Sequence, residues 1–175
     1  VDRADLIAEV NVETLEDSEW NVDATGEQID QLHTDANVRP LEIYSDNTDG
    51  IQTLSETEEF TVRTDIGQIG NTVQTSSSYP SLEENETALL FLVEESDNSG
   101  TYYSILGNSQ GKFTKQEIDG ELCYTNGRDQ LPVEGLREKI QQIAEDNKDT
   151  QWASDYYTDE EIKAMNDALF ESGAE

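Results

Sequence analysis

The chain has 175 residues, 40 of them acidic and 10 basic, for a formal charge of −30. Five Lys and five Arg give no basic face for nucleic acid or an anionic membrane, and no stretch approaches the roughly 18 apolar residues of a membrane-spanning helix. The acid is dispersed, with no run of five or more like charges, which excludes an acidic tail and predicts a halophile's surface, in molar salt where screening reaches about 3 Å.

Ala4 to Leu15 opens the fold. Leu6, Ala8, Val10 and Val12 alternate with Ile7, Glu9, Asn11 and Glu13, the pattern of a half-buried strand. Glu16 to Asn37 is polar, with Trp20, Val22, Ile29 and Leu32 as its only anchors, and reads as a long loop with a short helix at Glu27 to Leu32. Val38 to Tyr44 is a short strand in which Pro40 marks an edge or an irregularity, because proline lacks a ladder donor. Glu59 to Ile66 and Ile69 to Thr75 are strand-like, joined by a tight turn at 65–68. Thr87 to Val93 is continuously apolar and should cross the middle of the core.

Asp97 to Gly100 is turn chemistry answered by a strand from Thr101 to Leu106, and Asp119-Gly120 joins Lys112 to Ile118 with Glu121 to Thr125 in a second hairpin. Beyond Asn126-Gly127 the period changes. Pro132 fits a helix's first turn, and Val133, Leu136, Ile140 and Ile143 recur as the stripe of an amphipathic helix. Seven or so short strands followed by this helix predict a mainly β protein, a small OB-like or Greek-key barrel with one packed helix, over residues 1–147. Residues 148–175 form a C-terminal helical extension. It has a capping box from Thr158 to Glu161 and a narrow apolar seam of Ile162, Met165 and Leu169, so residues 158–170 either dock on the barrel or present a surface for self-association or a partner.

Few constellations carry chemistry. Ser45, Asn47, Asp49, Gly50 and Glu56 occupy positions one, three, five, six and twelve of a calcium-loop frame, which leaves a turn and a calcium site as the two readings of that segment. Asn85-Glu86-Thr87 fits the N-glycosylation acceptor. His33, the only histidine, lies in a polar stretch with no nucleophile motif, and it would gain a hydrolytic role only in a pocket with a carboxylate and a nucleophilic hydroxyl. Cys123, the only cysteine, sits in a strand as a small hydrophobe and leaves no internal disulfide or cysteine cluster. The tyrosines, Tyr79, Tyr102, Tyr103 and Tyr124 among them, include candidates for a binding face and are expected to cap barrel ends, ring buried and hydroxyl wet.

Ala4-Asp5-Leu6-Ile7-Ala8-Glu9-Val10, Ala88-Leu89-Leu90-Phe91-Leu92, Tyr102-Tyr103 and Gln110-Gly111-Lys112-Phe113 come in that order. In this the chain resembles a group of uncharacterised exported proteins of bacteria and archaea, with an ADLI-type first strand, an LLFL strand, a QGKF segment and a closing helix. The resemblance covers residues 1–145 and implies no catalytic residues. The leading strand is also similar to that of the OB-like barrels of netrin and metalloproteinase-inhibitor modules. Their N-terminal disulfides are absent here, so an inhibitor role does not follow. An opening Val1 in place of Met is what removal of a leading signal segment would leave. Together these features predict a non-enzymatic exported or cell-surface module of a halophilic archaeon, a lipoprotein ectodomain or assembly subunit. A cation- or ligand-binding domain, with calcium as its cofactor, is the alternative.

Overall fold

A computed structural model describes residues 1, 3–23, 25–47, 58–75, 78–97 and 100–147. The chain is mainly β. Strand β1 (Leu6–Leu15) alternates as its sequence requires, with Leu6, Ala8, Val10 and Val12 fully buried. Next come β2 (Glu19–Val22) and β3 (Gln28–Asp46), a hairpin where the sequence suggested a loop and a short helix. The three-residue spacing of Ile29 and Leu32 imitates a helix, but Leu32, Ala36 and Val38 are buried at strand spacing. The Asp23 carboxylate caps the turn by accepting from the backbone N–H of Thr25 and Glu27. Pro40 lies within β3, beyond the stretch that pairs with the next strand and at a register shift against β1, where a missing donor is tolerated.

After β4 (Phe60–Thr64), the short strands β5 (Gly67–Ile69) and β6 (Thr72–Gln74) form their own hairpin. The expected turn at 65–68 is therefore displaced to Gly70, whose φ of +58° suits glycine. Strands β7 (Thr87–Asp97) and β8 (Gly100–Ile105) pair as expected. A 3-10 turn (Asn108–Gly111) leads into β9 (Lys112–Ile118), β10 (Glu121–Thr125), β11 (Gln130–Pro132) and helix α1 (Leu136–Asn147). Asp119 and Gly120 both have positive φ, as a two-residue hairpin turn demands. Pro132 ends β11 opposite Cys123 and does not open the helix, which starts after Gly135.

The pairings close a ring. β1 pairs with β3 and β7, β3 with β4, and β8 with β7, all antiparallel, while β4 and β8 close the circle in parallel. This is the strand order of an OB-like barrel. Its interior holds Leu6, Val10, Val38, Val62, Leu90 and Leu92. β7 continues past β8 to pair with β9, which turns away with β10 and β11. That second layer and α1 bury a second core of Ile7, Tyr44, Leu89, Phe113, Tyr124, Leu136 and Ile140. In it Lys115 Nζ meets the buried Glu9 carboxylate at 2.5 Å, and the Tyr44 and Tyr124 hydroxyls are 3.2 Å apart. β7 is thus covered on both faces, which is why its sequence is continuously apolar. Leu90→Ala, which empties a fully buried site, is expected to cost about 2–5 kcal/mol in chemical denaturation, and a loss below about 0.5 kcal/mol would contradict the barrel at this strand.

This architecture belongs to a compact unit, Val1–Ala144; a second unit begins at Glu145. The predicted cap at Thr158 and the seam of Ile162, Met165 and Leu169 lie outside the described residues.

Candidate ligand-binding cleft

Because strand side chains alternate, four barrel strands each point two residues outward at one end of the barrel. These are His33 and Asp35 of β3, Arg63 of β4 with Asp65 just past its end, Tyr102 and Ser104 of β8, and Glu95 and Asp97 of β7. Asp35 lies directly opposite Arg63, Arg63 opposite Ser104, and Tyr102 opposite Glu95. β2 raises a wall beside them, with Glu19 opposite His33. The result is a cleft of about 340 Å³ lined by these strands and by Trp20 and Asn21. His33, Arg63 and Tyr102 separate it from a second hollow of about 380 Å³ that reaches Glu16 and Asp35. Volumes of this size suit a small ligand.

Arg63 organises the floor. Its Nε and Nη2 bind the two Asp35 oxygens at 2.7 and 2.8 Å, its Nη1 binds Asp97 at 2.6 Å, and its guanidinium lies 4.0 Å from the centre of the Tyr102 ring. The side chain is only 9 % exposed, so this bidentate pairing is what makes the buried charge tolerable. The Asp35 hydrogen bonds hold it firmly protonated. Across the cleft, Glu95 accepts from the Ser104 hydroxyl and, at 3.4 Å, from the Tyr102 hydroxyl. Burial, then the charge of Glu95, push the Tyr102 pKa up. Asp65 is exposed as a residue, yet its carboxyl is withdrawn from water and faces Glu95, and these two causes raise its pKa in that order.

His33 is 6 % exposed, and its Nδ1 lies 2.5 Å from Asn21 Oδ1. Burial, followed by the Arg63 charge, lowers its pKa and keeps the ring neutral at pH 7. The pocket that would have favoured a hydrolase, with His33 near carboxylates and a hydroxyl, is therefore present. Its parts are engaged otherwise, Nδ1 with Asn21 and the Ser104 hydroxyl with Glu95, and among the described residues no hydroxyl is paired with the imidazole.

Of the calcium-loop residues, Ser45 lies in β3 opposite Ile7, and Asn47 donates its side-chain amide to Ala4 O and Ser45 Oγ and its backbone N–H to Asp5 O. Asp49, Gly50 and Glu56 lie outside the described residues. Asn85 is exposed, in a left-handed conformation (φ +65°), with its backbone N–H on Val12 O. Cys123 is buried in β10. Among the described residues there is no group of three or more His, Cys, Asp or Glu side chains that could hold a metal ion, and no helix is long and apolar enough to cross a membrane. Compared with protein-family models, curated proteins and solved structures, the chain matches none.

Proposed function

We propose that this chain is a non-enzymatic binding module, exported or displayed at the cell surface of a halophilic archaeon, that takes a small polar ligand in the outer cleft of its barrel. The observation that carries the proposal is the convergence of outward-facing pairs from four strands on one concave site. Those strands and their connections form the face on which OB barrels bind oligonucleotides and oligosaccharides, an analogy of fold. Glu19, Asp65, Glu95 and Asp97 make this copy of that face acidic, which disfavours a polyanion. The charge of −30 supports a life in high salt, and exposed Asn85 offers a glycan acceptor on an exported chain.

Two-dimensional amide NMR of the full chain in molar KCl tests the binding role, with cellotriose as a neutral probe and cadaverine as a cationic one. Shifts centred on Asn21, His33, Tyr102 and Ser104 with either probe are the expected outcome. Titrations that leave those amides unmoved would remove the binding reading.

A further inference from the structure

We propose that the cleft recognises an organic cation, an ammonium or guanidinium group carried on a short apolar stem, an inference that rests on the cleft being the binding site. The argument starts from the proton on His33. Asn21 Oδ1 can only accept, so the 2.5 Å contact requires Nδ1 to donate, which in the neutral ring leaves Nε2 as a lone-pair acceptor. The ring is more than nine-tenths buried and lines both hollows, and among the described residues no donor meets Nε2. A buried acceptor without a donor is costly, and a ligand N–H removes the cost.

The carboxylates that line the cleft with His33 are acceptors too. Glu19 stands opposite His33 and makes no ion pair or side-chain hydrogen bond with a described residue. Among the described residues, Glu95 accepts hydrogen bonds only from the neutral hydroxyls of Ser104 and Tyr102, and Asp65 is bonded to Tyr79. The cleft lining holds four carboxylates and one guanidinium, a net charge of −3, and that guanidinium is already bound to Asp35 and Asp97. An ammonium carries three donors and a guanidinium five, with no acceptor on either, which is the complement of such a lining. A sugar brings as many acceptors as donors, and most of those acceptors would find no partner here. Trp20, half-buried at the wall, supplies an aromatic ring for the stem. Molar salt screens attraction beyond about 3 Å, so a cation in this setting must be held by contact hydrogen bonds, which is what this lining offers.

Isothermal titration of cadaverine and agmatine into the full chain in molar KCl tests the inference. Saturable binding is expected, weakened about tenfold in Glu19→Gln and in Glu95→Gln, the loss of one charge-assisted hydrogen bond. Glu19 is exposed, so Glu19→Gln should melt like the parent chain and give a clean comparison. Equal affinity in parent and both variants would overturn the proposal. So would cleft shifts with cellotriose and no binding of either amine, an outcome that keeps the binding module and discards the cation. If neither amine nor cellotriose touches the cleft, both readings fall together.

Discussion

Gly111→Ala is expected to cost about 4 kcal/mol or more, among the largest effects of any single methyl group in this chain. A Cβ at this position would lie 2.2 Å from the Leu106 carbonyl oxygen, 2.9 Å from Ile105 Cγ2 and 3.1 Å from the Leu106 carbonyl carbon. The obstacle is backbone, so a side-chain rotation cannot relieve it. Gly111 closes the 3-10 turn at the point where the chain leaves β8 and re-enters the ladder of β7 as β9. Moving it pulls on both halves of that edge. Lys112, which binds Glu86 at 2.6 Å and the Ser81 carbonyl, and Phe113 of the second core both follow directly. This gives the Gln110-Gly111-Lys112-Phe113 segment a physical reason to exist as a unit. Denaturant unfolding in molar salt measures the effect, with Gly120→Ala as the control. Gly120 has a positive φ but nothing within 4 Å, so alanine there should cost only about 1–2 kcal/mol. Equal losses at the two glycines would refute the steric account.

The barrel was legible where one face of a strand is apolar and its turn carries the right residues. β1, the β7–β8 pair and the Asp119-Gly120 hairpin meet that condition, and α1 shows its stripe through Leu136 and Ile140. The region of 16–37 did not, for a reason that also hid the site. β2 and the first half of β3 present Glu19, Asn21, His33 and Asp35 outward to build the cleft, leaving Leu32, Ala36 and the half-buried Trp20 as a sparse apolar record. The residues that make the cleft are the ones that erase the strand signal. A trace was available nonetheless, in outward pairs two residues apart at 33/35, 63/65, 95/97 and 102/104. Assembling them needed the parallel closure of β4 with β8, which brings Val62 to Tyr103 and which no local pattern encodes.

The melting temperature should rise steeply with KCl, by more than about 10 °C between roughly 0.1 M and molar salt. Two unit charges 10 Å apart in water repel by about 0.4 kcal/mol, and with a Debye length of about 10 Å in dilute buffer much of that survives. Thirty uncompensated charges with a few neighbours each then contribute on the order of 5 kcal/mol, comparable with the whole stability of a small domain. At a Debye length of about 3 Å the same repulsion nearly vanishes. The bases do not remove the need for salt, because they are tied to particular acids: Arg39 to Glu13, Lys112 to Glu86, Lys115 to Glu9 and Arg137 to Glu42. Salt weakens exposed pairs such as Arg39 with Glu13 by less than about 1 kcal/mol, while the buried Arg63 pair is shielded, so relief of repulsion decides the sign. Circular dichroism across a KCl series reads the curve. Glu117→Gln with Glu121→Gln, two exposed charges on neighbouring strands, should shift it to lower salt. A melting temperature indifferent to salt from dilute buffer to saturation would mean that the acidic surface serves something other than a saline habitat, and the exported halophilic module would lose its main support.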